Sequence, residues 1–386
     1  MAPTMSTFWS GGDPGKRRPS TSPARLDGLA VGIPLPPTPL VGRAGESVTA
    51  TSLLQGDDVR LLTLTGTGGV GKTSLALHLA TEWAPTFPDG VGFVPLAAIH
   101  DADLVLPAIA HALGIQVGED DRALDALLGA LRGRRLLLVL DNIEQVASAA
   151  PLLAHVLASC PRLVMLATSR EPLRVRAEHV LPVEPLDLPE LGRPAAPEDL
   201  AHTASVALFL HRARAVSPDF ILTRANAPVV AEICRRVDGL PLAIELAAAR
   251  IRVLPPEALL ARLERGLPLL TGGPRDLPTR LQTMQGAIAW SYNLLCSEEQ
   301  VLFRRLAVFV GGFTLDAAEA VANANSDLDL DILEGLASLV DKSLLRREEG
   351  LEGEPRLGIL ETIRAYGLEC LEVNGETEDA RRRHAA

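Results

Sequence analysis

Short apolar runs alternate with amphipathic stretches through the first half of the chain. RLLTL at residues 60–64 reads as a buried strand. Residues 72–83 follow as a helix, with Leu75 and Leu79 one turn apart and Pro85 just past its end. VGFVPL at 91–96 is a second, weaker strand. LLLVL at 136–140 is an unbroken apolar run, as suits a central parallel strand covered on both faces. LVMLA at 163–167 repeats that signal, and residues 179–183 give a fifth strand. Strands that alternate with helices predict a parallel sheet with helices on both faces.

The pattern changes after residue 187. DLPELGRPAAPEDL at 187–200 is Pro-rich and reads as a linker. Helices alone follow, at 205–215, 227–237, 242–253 and 256–265. A turn-rich stretch at 271–279 separates them from helices near 280–293, 297–309, 315–323 and 329–341. A hairpin within 343–360 and a helix at 361–373 close the series. Residues 1–37 are rich in Pro, Gly, Ser and Thr and predict a disordered tail, stiffened by PLPPTP at 34–39. Lys16, Arg17 and Arg18 in that tail read as a solvated charge cluster. No repeat of 20 to 50 residues is visible.

Composition narrows the possibilities. Apolar residues are 47% of the 386, enough for most of the chain to fold, and aromatics are only 3%, so Leu, Ala, Val and Ile must build the core. Lys and Arg number 37 against 48 Asp and Glu, and the net charge of −11 argues against non-specific polyanion binding. The four cysteines lie far apart with no CxxC pair, so neither a zinc site nor a disulfide framework is indicated. The histidines at 78, 100, 111, 155, 179, 202 and 211 are scattered singly and read as surface or core positions. No apolar stretch suits a signal peptide, and none approaches the roughly 20 residues of a bilayer span. A cytoplasmic setting is the expectation.

One motif carries chemistry. Gly66, Thr67, Gly68, Gly69, Val70, Gly71, Lys72 and Thr73 fit G-x-x-x-x-G-K-[ST] in full, after a strand and opening a helix. Glycines let successive backbone N–H groups point at one anion, and the helix N-terminus adds partial positive charge. Lys72 would reach the β and γ phosphates, the Thr73 hydroxyl would ligate Mg²⁺, and Ser74 would complete the cradle. Asp141, where the 136–140 strand ends, stands where Mg²⁺ would sit; its bland reading is a cap of the next helix. Glu144 is the best nearby general base for a hydrolytic water, or else a first-turn Glu placed for the helix dipole. Arg170 follows the 163–167 strand and could sense a γ-phosphate, or be a surface Arg.

The ordered set Leu40-Val41-Gly42-Arg43, 66–73, 137–144, Thr168-Ser169-Arg170, Gly239-Leu240-Pro241-Leu242, 339–345 and 360–364 resembles the nucleotide-binding core of the STAND class of signal-transduction ATPases. The likeness is to its NB-ARC-like bacterial branch and runs from about residue 38 to 373. It implies an α/β P-loop NTPase fold followed by a small helical domain and a winged-helix domain, closed around ADP at rest. The domains expected are a tail (1–37), a P-loop nucleotide-binding domain (38–187), a linker and helical domain (188–275), a winged-helix domain (276–373) and a C-terminal stub (374–386). The resemblance assigns Val41, Gly42 and Arg43 to the adenine, Pro241 to the base and ribose, and Arg170 to the γ-phosphate. From the residues alone, Gly239 ends one helix and Pro241 starts another.

Departures from the family pattern are specific. Ala44-Gly45-Glu46 replaces the usual acid after the Val-Gly-Arg triplet. Ile359-Leu360-Glu361 replaces a Met-His-Asp triplet whose His touches the ADP phosphate in plant relatives. Asn142 replaces a second acid, which implies slow turnover. Beyond Arg382-Arg383-His384-Ala385 the family continues into a helical-repeat sensor. The chain could thus be a fragment, a truncated product or a minimal switch with separate partners.

Three functions compete. The leading one is an ATP/ADP-binding regulatory switch with slow Mg²⁺-dependent hydrolysis, signalling through domain rearrangement to protein partners or by self-association. The second is a DNA-binding regulator. Its candidate recognition helix, residues 329–337, offers Asp329, Asp331 and Glu334 and no base-reading Arg or Asn, so direct DNA binding is not expected. The third is a P-loop small-molecule kinase, for which nothing after residue 187 resembles an acceptor site.

Overall fold

A computed structural model of the chain describes residues 24–26, 29–34, 38–56, 58–118, 122–190, 196–264, 266–324, 327–349 and 354–385. It opens with a short antiparallel hairpin, β1 (Ala24–Leu26) and β2 (Leu29–Val31), and Gly32 bridges to Gly92 in parallel. Part of the expected disordered tail is therefore structured from Ala24. Lys16, Arg17 and Arg18 lie outside the described residues.

Helix α1 (Ala44–Gln55) follows, and the hydrophobic pattern had not announced it. Only its Ala50 is buried, so it carries no apolar stripe to read. The sheet then alternates as expected: β3 (Leu61–Thr65), α2 (Lys72–Trp83), β4 (Val91–Pro95), α3 (Val105–Ala112), α4 (Ala123–Leu131), β5 (Leu137–Asp141), α5 (Ala150–Ser159), β6 (Val164–Thr168) and β7 (Glu178–Pro182). All five strands are parallel, in the order β4-β5-β6-β3-β7. Successive side chains of β5 point to opposite faces, and both faces are covered. Leu137 and Val139 join the core shared with α2, whereas Leu138 and Leu140 pack under α3, α4 and α5.

The helical part comprises α6 (Pro197–His202), α7 (Ala204–Val216), α8 (Ala227–Arg236), α9 (Pro241–Ala248) and α10 (Pro256–Leu263). Helix α6 begins inside the stretch read as linker, with Pro197 at its first turn. The helix expected at 242–253 starts at Pro241 and tightens to 3₁₀ geometry over Ala249–Arg252.

The last part comprises α11 (Met284–Tyr292), α12 (Ser297–Leu306), α13 (Leu315–Ala322), α14 (Ile332–Asp341), β8 (Arg346–Glu349), β9 (Pro355–Gly358) and α15 (Glu361–Val373). From α12 to α15 these form the expected winged helix, with β8 and β9 as the wing, and α11 leads into it. Thr283 and Asp331 cap α11 and α14, which moves both starts later than the sequence suggested. The expected stub folds as α16 (Thr377–Ala385) on a buried Ala380, and the His384 and Phe309 rings meet in a T-shaped pair. Buried side chains of the α2 face of the sheet, the helical part and the winged helix form one continuous core. Among the described residues, no helix is long and apolar enough to cross a membrane.

Candidate functional site

The loop between β3 and α2 is shaped by glycine. Gly71 caps α2 in the left-handed region (φ 99), with no side chain on the cap, so the first amides of α2 stay available. Gly69 is also left-handed (φ 82), and a Cβ there would lie 2.8 Å from that of Leu242. The Leu242 N–H donates to the Gly69 carbonyl at 3.1 Å, joining α9 to the loop. Lys72 turns back over the loop, its Nζ donating to the carbonyls of Gly66 (2.6 Å) and Thr67 (3.1 Å).

Lys72, Asp141, Glu144 and Arg170 are each at most 7% exposed, so four charges share a nearly dry space. Burial brings the Lys72 pKa down from 10.5 to about 8. Arg170 lowers it further, and Glu144 and Asp141 oppose. Asp141 ends β5, and β6 lies between β5 and β3. Thr168, at the end of β6, and Thr73, in the first turn of α2, both donate their hydroxyls to Asp141 Oδ1 at 2.7 Å. The Asn142 amide then donates to Thr168 Oγ1 at 2.9 Å. Burial raises the Asp141 pKa against the two hydroxyls, which lower it.

Arg170 Nε donates to Glu144 Oε1 at 3.3 Å, and its Nη1 to the Ala287 carbonyl of α11 at 3.3 Å. Burial lowers its pKa, and Glu144 raises it. The buried Glu144 Oε2 has no hydrogen-bond partner among the described residues. A Cβ on Gly68 would come within 3.0 Å of the Ala287 carbonyl and 3.1 Å of the Arg170 guanidinium, so α11, which leads into the winged helix, rests directly on the loop. Arg280 strengthens this seat. Its Nη2 donates to Asn142 Oδ1 at 3.2 Å, and its guanidinium lies 4.6 Å above the Trp290 ring. The Ser343 hydroxyl donates to the Arg170 carbonyl at 2.8 Å.

Beside the loop lies a cavity of about 350 Å³. Val41, Arg43, Val70, Gly71, Ser74 and Pro241 line it, together with Thr38, Pro39, Leu40, His78, Leu186, Leu208 and Glu245. Val41, Arg43 and Pro241, singled out in distant segments, thus meet on one wall. Gly42 sits between the first two and packs against Ala204 instead. Arg43 is a brace, donating to the Glu184 carbonyl at 2.7 Å and the Val70 carbonyl at 2.8 Å. His78, read as scattered, belongs to this wall. The sequence did not single out Glu245, Asp238, Arg280 or Ala287. Each is an ordinary residue locally, and its meaning comes from a partner far along the chain.

The exposed positions at the start of α14 are its cap Asp331 and, within the helix, Leu333, Glu334 and Ala337. Its C-terminal end is occupied: Asp341 pairs with Arg174 at 2.5 Å, and the next residue, Lys342, pairs with Glu299 at 2.6 Å.

Comparison with known proteins matches two domains. The profile of the NB-ARC domain matches residues 46–175, and that of a winged helix-turn-helix domain matches residues 295–372. A Mycobacterium tuberculosis (strain H37Rv) protein, provisionally named an HTH-type transcriptional regulator, is 43% identical over 327 residues. That match covers 84% of this chain and 35% of the relative, so the chain spans about a third of that relative's length. An uncharacterized protein of the same strain is 38% identical over 343 residues, covering 88% of this chain and 83% of the relative. Among solved structures, the Walker-type ATPase PABY2304 of Pyrococcus abyssi shares the fold with a TM-score of 0.53 at 14% identity, over 86% of this chain and 96% of that one.

Proposed function

The chain belongs to the NB-ARC family of STAND-class ATPases, and on that premise we propose that it is a switch set by the adenine nucleotide it holds. One observation carries the reading. Arg170 bonds at once to Glu144 of the α/β domain and to the Ala287 carbonyl of α11, which leads into the winged helix. A γ-phosphate on the loop competes for that guanidinium, because a charged, bidentate partner outbids a neutral carbonyl. Losing the Ala287 contact weakens the seat of the winged helix, and ADP, without a γ-phosphate, leaves it intact. ATP and ADP thereby favour different arrangements of the same domains.

In this proposal the diphosphate lies against the loop amides and Lys72, and the base and ribose occupy the cavity lined by Val41, Arg43 and Pro241. Thr73 and the buried Asp141 carboxylate supply the hard oxygen donors that suit Mg²⁺, which when bound would neutralise β- and γ-phosphate charge. Glu144, with one oxygen unpartnered, is the base for hydrolysis. Arg170 holds the other oxygen, and Asn142 stands where a second acid would be, so turnover is slow.

The relative's name raises a second reading, DNA binding through the winged helix. The acidic exposed positions of α14 and its docked end favour a packing role instead, with output through protein partners or self-association. Small-angle scattering tests the switch. With ADP the chain stays compact, with a non-hydrolysable ATP analogue it expands, and Arg170→Ala expands with either. Equal dimensions in every state would refute the proposal.

A further inference from the structure

Glu245 stands one turn along α9 from Pro241 and lines the same cavity as Val41, Ser74 and His78. Its Oε1 accepts from Arg212 Nη2 of α7 at 2.6 Å, and Oε2 has no hydrogen-bond partner among the described residues. The Glu245 side chain is 22% exposed. Most of the surrounding wall is apolar or is backbone, and the Arg43 guanidinium is committed to carbonyls and to Glu46. Glu245 is thus an anchored acceptor with one open oxygen.

Chemistry limits what that oxygen meets. A carboxylate accepts and never donates, and it repels phosphate, so the ligand must present hydroxyl or N–H groups there, away from its phosphates. A nucleotide has two such regions, the ribose diol and the edge of the base. The Pro241 ring lies 3.9 Å from where a Cβ of Gly71 would be, so α9 starts beside the loop. One helical turn advances about 5.4 Å, so Glu245 stays on the wall assigned to base and ribose, where the diol offers two adjacent hydroxyls to a single oxygen.

We propose that Glu245 Oε2 accepts hydrogen bonds from the ribose 2′- and 3′-hydroxyls, with Arg212 fixing the carboxylate through Oε1. An acidic residue on the ribose serves the same purpose in other nucleotide folds. This inference rests on the nucleotide reading above.

Calorimetric titration of the full chain with ADP, 2′-deoxy-ADP, 3′-deoxy-ADP and GDP provides the test, on wild type, Glu245→Gln and Glu245→Ala. Wild type favours ADP over each deoxy analogue by about tenfold, as expected for a hydrogen bond to a charged group. Glu245→Ala brings that ratio within about twofold and leaves deoxy-nucleotide affinity unchanged. Glu245→Gln, nearly isosteric and still an acceptor, falls between. An ADP to deoxy-ADP ratio unchanged in Glu245→Ala would make the residue a structural ion pair and overturn the proposal. A change confined to the ADP to GDP ratio would assign it to the base and overturn it equally. Wild type that binds no ADP would remove the nucleotide reading itself, whereas ADP binding with an unmoved ratio removes this inference alone.

Discussion

Asp238 and Thr362 join two domains: Asp238 Oδ2 accepts both the amide and the hydroxyl of Thr362, each at 2.8 Å. Its Oδ1 takes the Glu361 amide at 3.0 Å. Asp238 lies between α8 and α9 in a left-handed conformation (φ 54), and Thr362 is in the first turn of α15, which has no capping side chain of its own. A residue of the helical domain thus supplies the N-terminal cap of a winged-helix element.

Asp238→Ala should therefore cost about 1–3 kcal/mol, as three donors lose their acceptor. Thermal melting would show the loss, and limited proteolysis would cut between α10 and α11 sooner than in wild type. Asp238→Asn keeps a side-chain oxygen and tolerates the left-handed backbone, so it should fall between. Equal melting of Asp238→Ala and wild type would mean that the cap does not bear on closure.

Lys72 predicts a pH signature. The folded protein releases this proton near pH 8, but the unfolded chain keeps it to about 10.5. Between those values the unfolded state binds more protons, so this group makes stability rise with pH in that window. Phosphate favours the charged amine, so ADP affinity should fall as pH passes 8, with proton uptake on binding. Melting and two-buffer calorimetry from pH 7 to 10 would detect both trends. Lys72→Met should abolish both.

Gly69→Ala should disturb two things together. A side chain at φ 82 costs about 1–2 kcal/mol, and its Cβ would press on Leu242, whose amide bonds to this same residue. The expected outcome is a lower melting temperature and at least about a tenfold loss of ADP affinity, since α9 and the loop can no longer both keep their places. Unchanged affinity would mean that the contact between α9 and the loop is irrelevant to binding.

The winged helix should show no salt-sensitive affinity for duplex DNA. Fluorescence anisotropy of labelled duplexes between about 50 and 200 mM salt should give a flat response, because Asp331 and Glu334 add repulsion rather than release counterions. A steep fall in affinity with salt would assign DNA contacts to this domain.

The legible parts of the molecule share a physical cause. Residues of β5 and β6 are apolar because both faces of the sheet are covered, and the loop declares itself because only glycine fits its turns near Leu242. Other parts were hidden for equally definite reasons. Helix α1 buries only Ala50, so no stripe marks it. Asp238 followed by Gly239 looks like any helix-ending turn, and its partner lies 124 positions away. Arg170 was visible at the end of a strand, but its grip on the Ala287 carbonyl depends on how α11 packs. Arg280 and Glu245 are single charges on ordinary helical or turn sequence, and they acquire roles only when Asn142 and the cavity come beside them.

The nucleotide content of the purified chain tests the central claim most directly. Denatured wild-type protein should release ADP, or ATP, at close to one per chain, and Lys72→Ala purified in parallel should release almost none while remaining folded. Wild-type protein that carries no adenine nucleotide and gains none on incubation with ADP and Mg²⁺ would contradict the account.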